Sequence, residues 1–143
     1  MRTPIVWDKA YHTAVKYLDG HFDMTLVQDQ YSVKVQSEDP ESLLRTYYNW
    51  TRARNNCAAL ANGKMSAHPS YNNTNTTDKT VAAWYMTASD GTKALVLHNV
   101  GASAVSLSLP DDKLSDEVVS LGSVKVSGSS VELGANSSVV FRQ

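Results

Sequence analysis

The sequence predicts a mainly β chain, an antiparallel Greek-key β-sandwich preceded by an irregular segment and one α-helix. Three observations carry this. From Thr80 onward, short apolar runs recur at close spacing between Gly, Asn, Asp and Ser clusters, as in an all-β domain. Between residues 39 and 56, apolar residues recur at spacings of three and four, the period of a helix. Residues 1–36 show neither period but are rich in aromatics, with Trp7, Tyr11, Tyr17, Phe22 and Tyr31, so this stretch needs something to lie on.

The helix is expected to start at Asp39, whose carboxylate can accept from free first-turn amides. Pro40 suits the first helical position, where a missing N–H costs nothing. Glu41 favours the positive end of the helix dipole, and Arg52 and Arg54 favour the negative end. Leu43, Leu44, Tyr47, Trp50 and Thr51 then share one face, with Tyr47 and Trp50 expected in a core. Cys57, the single cysteine, sits in NNCAAL at the helix end and reads as a packed small thiol. One cysteine excludes a disulfide framework within the chain and a cysteine-rich zinc site. Residues 61–79 read as a connector: Asn62-Gly63 suits a turn, and SYNNTNTTD at 70–78 suits a surface loop.

Strands are expected at 80–87 and 93–99, joined at Ser89-Asp90-Gly91-Thr92, where Asp-Gly supplies the positive φ angles of a tight turn. Residues 105–109 (VSLSL) alternate with the period of a half-buried strand, and Pro110-Asp111-Asp112 ends it. Further strands are expected at 118–121, 124–126, 130–133 and 138–141. The predicted core comprises Val81, Leu95, Leu97, Val105, Leu107, Leu109, Val119, Val131, Leu133, Val139 and Phe141.

Lys and Arg number 13 against 14 Asp and Glu, with no basic stripe, which argues against a nucleic-acid partner. No apolar run approaches the roughly 18 residues of a membrane span. The opening MRTPIVWDKAYH lacks the apolar core of a signal peptide, so an export signal is expected upstream.

Three segments, in order, resemble glycoside hydrolase family 13, the α-amylase family. Arg2-Thr3-Pro4-Ile5-Val6-Trp7-Asp8 is similar to the family's RTPMxWD sequence, found after the last barrel strand. Gln36, Asp39, Pro40, Ser42, Leu43, Leu44, Tyr47, Arg54, Ala59 and Leu60 match the pattern of its last barrel helix. Val96-Leu97-His98-Asn99 and residues 137–141 resemble its C-terminal β-domain. Ala58 stands where the family often has Pro, and Ile5 where Met is common.

The resemblance implies that residues 1–62 are the last loop and helix of a (β/α)8 barrel, and residues 63–143 the C-terminal all-β domain. It implies a retaining hydrolase of α-glucans (starch, maltooligosaccharides), with the β-domain bracing the barrel. Retaining hydrolysis needs two carboxyl groups about 5 Å apart across the scissile bond. None of the acidic residues here matches those motifs, so no catalytic residue is assigned and the chain alone is expected to be inactive. Calcium is expected only in the intact enzyme, with no ligand in this chain. The expected partners are the parent's catalytic barrel, α-glucan through that parent, and a second copy through the exposed helix face. The style of the β-domain leans the parent towards the cell surface or outside the cell.

Stacking on sugar rings makes Trp7, Trp84 and Tyr85 the candidate substrate-binding residues. Trp7 would shape substrate subsites or pack on the barrel rim. Trp84 and Tyr85 are strand neighbours, so one faces inward and the other could form a glucan platform, or simply pack. The rival function is a carbohydrate-binding module recognising α-glucans. Asp111-Asp112 and Asp116-Glu117 read as solvated turns, because adjacent carboxylates do not converge across a substrate. His12, His21, His68 and His98 show no metal-ligand spacing, and His98, alternating with an apolar set, reads as structural.

Overall fold

The computed structural model describes residues 5–8, 31–71 and 79–143, together with the backbone of 11–12. Tyr17, Phe22, His21, residues 1–4 and residues 72–78 of the expected surface loop lie outside the described residues, as do the side chains of Tyr11 and His12. The chain divides into two compact units, Met1–Asn49 and Trp50–Gln143.

In the first unit, β1 (Val6–Asp8) pairs antiparallel with β2 (Tyr11–His12). The stretch expected to be irregular up to residue 36 ends instead in a short helix, α1 (Val33–Glu38). Ser32 caps it, its Oγ accepting from the Val35 amide at 3.2 Å. The next helix, α2, runs Leu43–Asn55, so the expected start at Asp39 is corrected. Asp39 closes α1 instead, its amide donating to Val35 O. Pro40 is the reason: a residue before proline is pushed out of the helical region, and Asp39 is extended at φ −90°, ψ 113°. Ser42 replaces it as the cap, accepting from the Arg45 amide at 3.2 Å while donating to Gln36 O at 2.6 Å. The Gln36 side chain ties the two helices, its Oε1 accepting from the Leu44 amide.

In the second unit, α3 (Ala58–Asn62) follows, then β3 (Lys64–Ala67). Both fall in or beside the stretch read as a connector, which is corrected accordingly. Two antiparallel sheets are built from β3, β4 (Val81–Thr87), β5 (Lys93–Asn99), β6 (Val105–Ser108), β7 (Glu117–Leu121), β8 (Val124–Ser127), β9 (Ser130–Leu133) and β10 (Ser137–Arg142). The larger has the order β3-β4-β5-β10-β7 and the smaller β6-β9-β8. Non-consecutive neighbours mean that the chain crosses between sheets, as a Greek-key sandwich expects. The β4–β5 connection is wider than a two-residue turn, since Thr87 pairs with Lys93. Only Gly91 takes a positive φ, 86°, while Asp90 Oδ1 accepts from the Thr92 amide at 2.8 Å.

Between the sheets lies one apolar core of Val81, Ala83, Leu95, Leu97, Leu107, Leu109, Leu114, Val131, Leu133, Val139 and Phe141. Nine of the eleven expected core residues are here. Val105 sits at its margin, and Val119 packs on the other side of the larger sheet. That outer side carries a second core, Cys57, Ala59, Ala94, Val96 and Val140, bordered by Trp50, Leu60, Trp84, Met86, Val118 and Val119. Burial on both faces explains why β5 and β10 read as near-continuous apolar runs.

Candidate functional site

Three groups of side chains carry the polar and aromatic chemistry. The first centres on Asp112, which the sequence placed in a solvated turn. Its side chain is only 3% exposed, and that of His68 4%. Asp112 Oδ2 lies 3.1 Å from His68 Nε2, and Tyr85 Oη donates to Oδ1 at 2.6 Å. The amides of Ser70 and Tyr71 both donate to His68 Nδ1. That nitrogen is therefore an acceptor, so in the neutral imidazole Nε2 carries the proton and points it at the carboxylate. Tyr85 is raised well above the usual phenol range, first by burial and then by its bond to Asp112 and the charges of Asp112 and Asp111. Lys93 Nζ rests over the Tyr85 ring, 3.5 Å from its centroid.

This trio resembles catalytic hardware in composition but not in availability. The histidine's lone pair is taken by two backbone amides, and the phenol holds its proton. Both carboxylate oxygens are held by protein groups. The cluster ties the segment after β3, the strand β4 and the loop after β6 together.

The second group is on the outer side of the larger sheet. The His98 ring stacks near two indoles, 5.1 Å from Trp84 and 6.4 Å from Trp50, tilted by 30° and 20°. Its Nδ1 shares a hydrogen bond with Ser138 Oγ, and burial pushes its pKa down. Trp84 and Tyr85 thus face opposite sides of β4, as strand geometry requires. The outward side is covered as well: Trp84 packs on the outer core, which Trp50 and Leu60 also border.

The third group is the exposed apolar surface of the first unit. Trp7 is 45% exposed, and Leu43 and Tyr47 are 68% exposed. Tyr47, expected in a core, is therefore not in one. A helix face of this composition buries itself only when a partner supplies the opposing surface, and the described residues 5–8 and 31–49 supply none. Tyr31 and Tyr48 are exposed in the same unit.

Asn99 is a buried polar residue that sequence reading used only as part of a motif. Its Nδ2 donates to the carbonyls of Ser103, Leu133 and Gly134, and its Oδ1 accepts from the Gly101 amide. It rivets the end of β5 to the end of β9. Among the described residues, no three His, Cys, Asp or Glu side chains gather to hold a metal ion. No helix of the described residues is long and apolar enough to cross a membrane.

Residues 81–140 match the family model of the α-amylase SusG C-terminal domain. Over 147 aligned residues, the chain is 38% identical to the α-amylase SusG of Bacteroides thetaiotaomicron, covering 99% of this chain and 20% of that protein. Its fold is similar to that of the trehalulose synthase MutB from Pseudomonas mesoacidophila MX-45, with TM-score 0.64 and 22% identity over 80% of this chain and 20% of that one. A MutB mutant in complex with the substrate sucrose gives TM-score 0.65 at the same identity and coverage. By sequence, the chain therefore corresponds to the C-terminal part of an α-amylase-family enzyme.

Proposed function

We propose that this chain is the non-catalytic, bracing part of an α-glucan hydrolase of α-amylase type. The enzyme as a whole cleaves starch-like glucans by the retaining mechanism, with its carboxylates supplied by a catalytic barrel. One observation carries this reading: the helix face of Leu43, Leu44, Tyr47 and Tyr48 is exposed although it has the composition of an interior. A barrel wall is the apolar surface that such a face fits, and the α-amylase activity of the relative SusG supplies the substrate class.

A free-standing glucan-binding module would need a pair of exposed aromatics to stack on sugar rings. Among the described residues of the second unit, the exposed large apolar ones are Met65, Val100, Leu121 and Val126, none of them aromatic. This favours the brace over the module. Trp84 lies against His98 and the outer core, and Tyr85 is engaged by Lys93 and Asp112. Trp7, exposed in the first unit, is the candidate that keeps a role in substrate subsites of the whole enzyme.

The reading is tested with the purified chain and with a longer protein that carries the barrel. Reducing-sugar release from starch and titration with maltoheptaose should both give no signal for the chain alone. Removing the β-domain from the longer protein should lower the barrel's melting temperature. Starch hydrolysis by the pure chain, or an unchanged barrel, would overturn the proposal. The isolated chain should also self-associate through the exposed helix face, read by analytical ultracentrifugation.

A further inference from the structure

The outer side of the larger sheet is covered by residues 50–62, and the fit is close. Ala59 is fully buried and Cys57 almost so, against Ala94, Val96 and Val140. Trp50 stacks towards His98 at one border, and Leu60 packs at another. Small residues at 57, 58 and 59 let α3 come down onto β4 and β5, which larger side chains would prevent.

The exit from this segment is just as constrained. The Gly63 amide closes α3 on Ala59 O at 2.9 Å. A Cβ on Gly63 would lie 2.2 Å from Ala59 O and 3.0 Å from the Thr87 amide nitrogen, both backbone atoms that cannot step aside. Gly63 is needed here for space, its φ of −72° being ordinary. Arg54 adds a guanidinium donor to Ala61 O at 3.2 Å. Helix end, α3 and the turn into β3 thus form one piece seated on the sheet.

We propose that the outer face of the β4-β5-β10-β7 strands is a docking surface for residues 50–62. The β-domain then folds as a unit from Trp50 onward, holding the end of helix α2 as a clasp. Its start lies well before residue 81, where the family model's match begins. Strands β5 and β10 bury residues on both faces, so a sheet without the segment would expose Ala94, Val96 and Val140 to water. The clasp rests on the contacts within Trp50–Gln143. Only its use in bracing rests on the function proposed above.

Cys57, as the single cysteine, reports directly on the clasp in the full-length chain. Its labelling by a thiol reagent is followed across a urea titration beside the circular-dichroism signal of the sheet. The expected result is one transition: Cys57 becomes reactive only where the sheet is lost. Ala59→Asp should lower both midpoints together and speed labelling in the absence of urea by about 100-fold or more. Should that variant not fold, Leu60→Ala makes the same test more gently, with Leu43→Ala as a control that shifts neither midpoint. Labelling well below the sheet transition would overturn the proposal. So would a variant that frees Cys57 while leaving the sheet midpoint unchanged. Failure of the bracing reading is seen separately, in the barrel's melting temperature, and leaves these readouts untouched.

Discussion

The two compact units use apolar residues in opposite ways. In the described part of Met1–Asn49, the buried residues are two serines, Ser32 and Ser42, both helix caps. Its large apolar side chains, Ile5, Trp7, Tyr31, Leu43, Leu44, Tyr47 and Tyr48, are exposed. In Trp50–Gln143, the apolar residues fill two cores, one on each side of a five-stranded sheet. The hydrophobic effect scales with area removed from water, so the second unit supplies its own stability. The first is held locally by caps and turns. Its apolar surface is of the kind and extent that marks an interaction site rather than a free surface. The contrast teaches that one chain can hold a finished domain and an unfinished one, with the boundary inside a helix.

Breaking the contrast at its strongest point means emptying the sandwich core. Phe141→Ala should cost about 3–5 kcal/mol in the urea transition, because Phe141 is fully buried among both sheets. A loss under about 1 kcal/mol would mean the sandwich is not the main source of stability. Next comes Asp112→Ala, which leaves His68 Nε2–H and Tyr85 Oη–H without their acceptor. Each buried donor left unpaired costs about 1–3 kcal/mol. Tyr85→Phe, which removes only one of the donors, should cost less than Asp112→Ala.

A pH titration sharpens the outer core. His98 is held below its ordinary value of 6.5 by burial. Above 6.5 the ring is neutral in both the folded and unfolded chain and contributes nothing. As pH falls below 6.5, the unfolded chain takes up a proton that the folded chain resists, so stability drops, levelling once the folded ring also titrates. The fall in unfolding free energy between about pH 7 and pH 5 should be shallower in His98→Phe than in the parent chain. An equal slope would remove His98 from the account.

Smaller effects are expected in the first unit. Ser42→Ala should cost about 1 kcal/mol of local helix stability, seen as faster amide exchange at Leu44 and Arg45 with the sandwich unaffected. Tyr47→Ser should change the urea midpoint least, within about 0.5 kcal/mol, while abolishing self-association. A marked loss of fold stability would mean that Tyr47 is already partnered.

Most strands were legible because an alternating or a continuous apolar run between turn residues is written into the chain itself. Residues 93–99 and 130–133 match β5 and β9 to the residue. Strand β3 was not legible: Lys64–Ala67 is short, exposed along its length and carries no alternation. It exists because β4 offers it a row of backbone partners. Asp112 was misread for a related reason, since its neighbours in sequence are polar while its partners, His68 and Tyr85, are 44 and 27 residues away. Of the candidate sugar-binding residues, Trp84 and Tyr85 were correctly placed on opposite faces. Alternation cannot say that a second layer covers the outward face.

Family membership, the β-rich second half and most of the sandwich core were readable in the linear chain, because periodicity, turn residues and motif order are local properties. The break at Asp39-Pro40 was equally available there, since a proline constrains the residue before it whatever the fold. Tertiary structure alone decided that Val96 and Val140 are interior, that His68, Asp112 and Tyr85 meet, and that Trp50 belongs with the sheet while Tyr47 remains exposed. Those outcomes depend on which distant surface arrives to remove a side chain from water, and a local pattern can show that a face is apolar without naming what will cover it.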